Sequence, residues 1–173
     1  MGELEGRVAI VTGSTSGIGE ATARRLVDLG AMVMVNSSSS VEAGNDLVAE
    51  LGTATRYHRA DVSSEEECIG LVDATVEAFG GLNILVNNAA SGVQRPAAEL
   101  SEKHWDWTMN VNARAPWLCS IEASRLMREG GRIVNITSEG SRRVLPYYFS
   151  VGVSKAALEA VTRYLAVELA PQG

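Results

Sequence analysis

Five short apolar runs, each followed by a stretch with helical spacing, set the limits on what this chain can fold into. They read "RVAIVT" (7–12), "AMVMVN" (31–36), "TRYHRA" (55–60), "NILVNN" (83–88) and "RIVNIT" (132–137). Helical patterns fill the intervals at about 17–29, 41–51, 64–79, 101–128 and 148–170. A strand with one face in water alternates apolar and polar residues, whereas "VAIV" and "ILV" are apolar throughout. Such strands are covered on both faces. Strand–helix units repeated in this way predict an α/β fold: a doubly wound parallel sheet in three layers, with right-handed crossovers. Only "NSSSS" at 36–40 is of low complexity, so residues 1–173 read as a single domain with one sizeable core.

Charge and hydropathy exclude several classes of function. The apolar runs are strand-sized, far below the ~20 residues of a membrane-spanning helix. The start, "MGELEGRVAIV", has neither the basic nor the long apolar region of a secretory leader. A net charge of −6 argues against a general nucleic-acid binder, which needs a basic surface. Cys68 and Cys119 lack metal-ligand spacing, and His58 and His104 stand alone. The expectation is a cytoplasmic protein with buried thiols, structural or surface histidines, no metal and no membrane.

The most informative loop follows the first strand. "TGSTSGIGEATARRL" places Gly13, Gly17 and Gly19 between a strand and a helix, with Ser14, Ser16 and Ile18 among them. Small residues there allow a tight turn, and the helix N-terminus offers free N–H groups and a positive dipole end to a pyrophosphate. The second strand ends in Asn36, Ser37, Ser38, Ser39 and Ser40, with no carboxylate before Glu42. An acid at this place bonds the ribose hydroxyls of NAD and would repel the extra phosphate of NADP. Hydroxyls and an amide can instead bond that phosphate, so NADPH is expected in preference to NADH, although the same segment also fits a plain polar turn. No arginine sits in this loop; Arg24 and Arg25 lie in the preceding helix. Asp61-Val62 and "NNAA" (87–90, with Asn88, Ala89 and Ala90) stand at the ends of the third and fourth strands, where ligands bind in open α/β sheets. Asp61 equally fits a helix N-cap or a neighbouring position.

Taken together, "TGSTSGIG", Asp61-Val62, "NNAA", Asn112 within "MNVNA", Ser138 after "IVNIT" and Lys155 in "SKAALEA" resemble the short-chain dehydrogenase/reductase family. The resemblance implies a Rossmann-type fold, NAD(P) chemistry and a site made of Asn112, Ser138, a tyrosine and Lys155. In that site Asn112 would hold a water through its helix backbone and Ser138 would face the substrate oxygen. Lys155 would bind the nicotinamide ribose and favour the phenolate of the tyrosine. The family fold continues with further strands and a substrate-covering segment. Since no strand follows "ELAPQG", the chain reads as C-terminally truncated, with its fifth strand near an exposed edge.

The tyrosine is displaced from the family's usual place. Four residues before Lys155 stands Val151, which can donate no proton. Tyr148, seven residues before the lysine, lies about 20° from its helical face, whereas Tyr147 lies about 80° away. Tyr148 must then sit at or just before the helix start, and packing roles for both rings remain open. A Tyr-x6-Lys spacing resembles the enoyl-acyl-carrier-protein reductases of this family, and "HWDWTMNVNARA" and "SVGVSKAALEAVTRYLAVELAP" are most similar to the third bacterial type. Val144 stands where that type carries a second tyrosine.

The expected activity is NADPH-dependent reduction of a trans-2-enoyl thioester in fatty acid biosynthesis. The substrate would be an acyl thioester of either acyl carrier protein or coenzyme A, with Arg95, Arg142 and Arg143 as candidate docking residues for the carrier protein. A carbonyl reductase or alcohol dehydrogenase using Tyr148, such as a 3-oxoacyl reductase, is the second reading. A nucleotide-binding module without turnover is the third. Apolar positions from Val153 to Val167 spread more widely around the last helix than a sheet-facing stripe needs, and the resemblance implies a homo-oligomer, a dimer or tetramer, packed through this helix.

Overall fold

The structure, a computed structural model, describes residues 2–173. Five parallel strands form one sheet: β1 (Val8–Val11), β2 (Met32–Ser37), β3 (Thr55–Arg59), β4 (Ile84–Asn87) and β5 (Arg132–Asn135). Their spatial order is β3-β2-β1-β4-β5, so the chain reverses direction of growth after β3 and returns to pair β4 with β1. That reversal opens a crevice at the C-terminal ends of β1 and β4, the place where such sheets take ligands.

The central strand shows why its sequence is apolar without alternation. Val8 and Ile10 enter one core with Leu71, Val72, Leu85, Leu118 and Ala123, while Ala9 and Val11 enter another with Ala23, Val33 and Val86. Successive side chains point to opposite faces, and each face carries its own helices. On the first face lie α3 (Glu65–Phe79) and α5 (Ala115–Leu126); on the second lies α1 (Gly17–Asp28). The helix α2 (Val41–Leu51) links β2 to β3, and the long α6 (Phe149–Leu169) follows β5. A three-layered, doubly wound α/β sheet is the result.

Two features differ from the sequence expectation. The helix expected over 101–128 is divided: α4 (Glu102–Met109) passes through a turn of π-helix at Asn110–Arg114 into α5. Such turns are rare and shift the hydrogen-bond register locally, which rotates the residues that follow. Here the turn carries Asn112, fully buried. The two cysteines, without metal-ligand spacing, nevertheless meet between α3 and α5, sulfur to sulfur at 2.7 Å, as free buried thiols. The hydrogen bond with Cys68, and then burial, raise the Cys119 thiol well above the usual thiol range, which keeps it protonated and unreactive. No cluster of metal-ligating side chains occurs among the described residues, and no helix there is long and apolar enough to cross a membrane.

Candidate active site and cofactor cleft

A cleft of about 730 Å³ runs along the C-terminal ends of the strands. At its centre is the turn after β1. Gly13 has φ 61°, and a Cβ there would stand 2.9 Å from Ala89 Cα, so only glycine allows the β1 and β4 loops to approach this closely. Gly19 packs under the turn, where a side chain would strike the Gly13 carbonyl and the Asn88 amide. Ser16 occupies the N-cap of α1 but makes no side-chain cap bond. The first-turn N–H groups of α1 are therefore open to an anion at the positive end of the helix. A turn that tolerates no side chain, beside uncapped N–H groups, fits the pyrophosphate of a dinucleotide.

The expected cofactor residues separate into two groups. Gly13, Ser16, Gly17, Ile18, Ser37, Ser38, Asp61, Val62, Asn88, Ala89, Ala90 and Lys155 line the cleft. Ser14 and Gly19 do not. The Ser14 side chain is fully buried; its hydroxyl donates to the Val11 carbonyl at 2.7 Å and accepts from Asn36 N–H at 3.0 Å. It braces β1 against β2. Asn36, expected to offer its amide to a cofactor phosphate, also turns inward: it donates to the His58 and Ala60 carbonyls, each at 3.1 Å, and accepts from Gly13 N–H. That correction follows from the sheet, because β2 is flanked on both sides and an amide between β1 and β3 bonds to their backbones. Ser37 is buried and shares a hydrogen bond with Tyr57 at 2.9 Å, whereas Ser38, like Ser39 and Ser40 after it, is exposed. Asp61 accepts from Ser63 N–H and hydroxyl, while the cap of α3 is Ser64.

Asn112 is tied in through its side chain. It exchanges hydrogen bonds with both backbone groups of Ser91, each at 2.8 Å, and donates to Ser154 at 3.0 Å. It thus fastens the loop after β4 to α6, and with it the wall of the cleft. Ser138, following β5, accepts from Gly140 N–H at 3.2 Å and from the Tyr148 hydroxyl at 3.4 Å. The second distance is long for a hydroxyl pair, which leaves both groups free to turn toward a third oxygen. Lys155 is only 5% exposed, and its ammonium donates to the Ile136 carbonyl at 2.7 Å. Burial lowers its pKa below the usual lysine value. No hydrogen bond joins the Lys155 and Tyr148 side chains.

The two tyrosines have different surroundings. Tyr148 is the N-cap residue of α6 and lines both the cofactor cleft and an adjoining apolar groove of about 400 Å³. Tyr147 lines the groove alone, is 62% exposed and takes φ 59°. This left-handed turn carries the chain sharply into α6. A parallel backbone bridge between Arg95 and Tyr148 pins the turn from outside, and Trp105 on α4 packs beside Phe149 with ring centroids 6.0 Å apart. Val151 is buried, and it packs so closely on Gly92 that a Cβ there would collide with it. It faces neither the cleft nor the groove. Of the docking candidates, Arg142 and Arg143 pair with Glu159 and Glu139, while Arg95 and Arg143 line the groove. Val144 is fully exposed at the groove mouth.

Sequence reasoning overlooked Thr15, Ser91, Trp107, Val111, Ile136 and Thr137, all of which line the cleft. Thr15, Ser91, Ile136 and Thr137 follow strand ends, a signal that was present. Trp107 and Val111 carry none, because apolar residues on a helix normally read as core.

The family model described as enoyl-(acyl carrier protein) reductase matches residues 13–173. An uncharacterized oxidoreductase of Methylorubrum extorquens is 43% identical over 99% of this chain, which spans 71% of that protein. The 1-cyclohexenylcarbonyl-CoA reductase of Streptomyces collinus is 36% identical over 96% of the chain, which spans 61% of its length. Among solved structures, a dehydrogenase/reductase from Sinorhizobium meliloti 1021 superposes with a TM-score of 0.94 at 38% identity, covering 98% of this chain and 69% of that one. With this match and the arrangement of glycine turn, Ser138, Tyr148 and Lys155, the chain belongs to the short-chain dehydrogenase/reductase family of NAD(P)-dependent oxidoreductases.

Proposed function

We propose that the protein reduces the C=C bond of 2-enoyl thioesters with NADPH. The observation that carries this reading is the position of Tyr148. Its hydroxyl meets Ser138 at the wall between cofactor cleft and apolar groove, while Val151 is turned into the core. The description of the matching family model and the name of the Streptomyces collinus relative point to the same chemistry. The lack of a carboxylate between Asn36 and Glu42 favours the phosphorylated dinucleotide.

The turn at Gly13–Gly19 and the N-terminus of α1 would hold the pyrophosphate, and Lys155 the nicotinamide ribose. When bound, the dinucleotide supplies the hydride. The apolar groove takes the acyl chain and brings the thioester carbonyl to Tyr148. As negative charge grows on that oxygen, the Tyr148 and Ser138 hydroxyls turn from each other to donate to it. Donors already aimed at a developing oxyanion stabilise it by about 3–4 kcal/mol. With hydride added at the β-carbon, the C=C electron pair would pass to that oxygen as an enolate. Tyr148 would protonate it, and tautomerisation of the enol would place the proton on the α-carbon. Arg95, without an ion pair among the described residues, is the docking residue we favour for an acidic carrier protein. The exposed Tyr164 and Val167 on α6 mark the face for self-association.

A 3-oxoacyl reductase is the second reading, because a tyrosine–serine pair also protonates a carbonyl oxygen. Crotonyl-CoA and acetoacetyl-CoA, each offered with NADPH to the purified protein, separate the two. Loss of NADPH absorbance with crotonyl-CoA is expected; loss with acetoacetyl-CoA alone overturns the proposal.

The Tyr148 ring rests on Gly140, where an added Cβ would come within 2.6 Å of Cδ1 and Cε1. Gly140→Ala should displace the ring at a cost of about 1–3 kcal/mol in stability. Turnover should fall by roughly tenfold or more, since small displacements of reacting groups are costly. NADPH affinity should stay near wild type, measured by fluorescence titration.

A further inference from the structure

We infer that Arg59, from the neighbouring strand, supplies the cation that recognises the 2′-phosphate of NADPH; the inference rests on the NADPH reading above. The segment after β2 holds hydroxyls but no basic residue, and hydroxyls alone leave a dianion without a counter-charge. Parallel register supplies one from elsewhere, because Ser37 on β2 stands opposite Arg59 at the end of β3. Arg59 Nε donates to the backbone carbonyl of Ser38 at 3.0 Å, which ties the guanidinium to an exposed residue of the cleft lining. Among the described residues, no other basic side chain bonds to the 36–40 segment. Arg24, on α1, is held by Glu20 at 2.9 Å and by both oxygens of Glu50 at 2.6 and 2.7 Å.

Arg59 is only partly engaged. One terminal nitrogen pairs with Glu67 at 2.7 Å, the other has no partner among the described residues, and the side chain is 51% exposed. Glu67 is itself held by Asp61 N–H at 2.7 Å, so it acts as a fixed anchor for the arginine. The planar guanidinium is thus fastened at two points, with its remaining N–H groups open to solvent. That arrangement suits a phosphate oxygen, which a planar cation with several donors binds with little loss of side-chain freedom.

Calorimetric titration of the whole chain with adenosine 2′,5′-bisphosphate and with adenosine 5′-monophosphate tests this assignment. The wild type should bind the bisphosphate more tightly. Arg59→Gln should weaken bisphosphate binding by about 10- to 100-fold and leave the monophosphate unchanged. Arg59→Lys, which keeps the charge but not the fork, should fall between them. Retention of the wild-type preference in Arg59→Gln overturns the assignment of Arg59 alone, as does an equal loss for both ligands. Equal binding of the two ligands by the wild type overturns the NADPH reading itself, and Arg59 with it.

Discussion

Tyr148→Phe is expected to lower kcat with crotonyl-CoA by about 100- to 1,000-fold, whereas Tyr147→Phe should stay within about threefold of wild type. The contrast follows from where the two hydroxyls lie. Tyr148 reaches Ser138 at the junction of cleft and groove, and Tyr147 stands 62% exposed on the groove side only. Removing the Tyr148 oxygen leaves the ring against Gly140, so binding of the dinucleotide should not change. The decisive measurements are kcat and NADPH affinity on both variants. Equal turnover in the two would remove Tyr148 from the proposed mechanism and return both rings to packing roles.

Lys155→Met should produce a loss of comparable size, with a raised KM for NADPH as well, because Lys155 both lines the cleft and is expected to hold the ribose. Its stability effect runs the other way. Burial lowers the folded-state pKa of this lysine below the ordinary 10.5, so the folded chain carries the charge at a cost. Between the lowered value and 10.5 the unfolded chain binds more protons, and wild-type stability therefore rises with pH across that window. Below the lowered value the cost is present in full. Lys155→Met lacks the titration, so the gap between variant and wild-type Tm should move in favour of the wild type as pH is raised toward 10. Parallel Tm curves over that range would refute the argument.

Much of the architecture was legible because it depends on local rules. Apolar residues without alternation imply strands covered on both faces, and Val8 and Ile10 opposite Ala9 and Val11 realise that rule in β1. The turn from Gly13 to Gly19 was readable for the same reason, since its demand for small residues is set by its own backbone and one close neighbour. The helical face expected to separate Tyr148 from Tyr147 does not carry over: α6 starts at Phe149, so Tyr148 stands just before it as the N-cap and Tyr147 lies in a left-handed turn with φ 59°. Less of the site could be read this way. Ser14 and Asn36 look like cofactor ligands in sequence but brace strands, because their partners lie on β1 and β3. The break at Asn110–Arg114 holds no proline or glycine in "NVNAR"; its marker is Pro116 just beyond, which has no N–H to give the Asn112 carbonyl four residues back.

By itself, then, the sequence determined the order of strands and helices, the parallel covered sheet, the small-residue turn after the first strand and the presence of Val151, not a tyrosine, four residues before Lys155. Tertiary structure alone decided which polar side chains face the cleft and which face the core. It also decided that Val151 packs on Gly92, that Asn112 fastens Ser91 to Ser154, and that Arg59 reaches Ser38. The physical reason is common to these cases. Periodicity specifies one face of one element, while a hydrogen bond between residues some 20 or 40 positions apart depends on sheet register and helix packing.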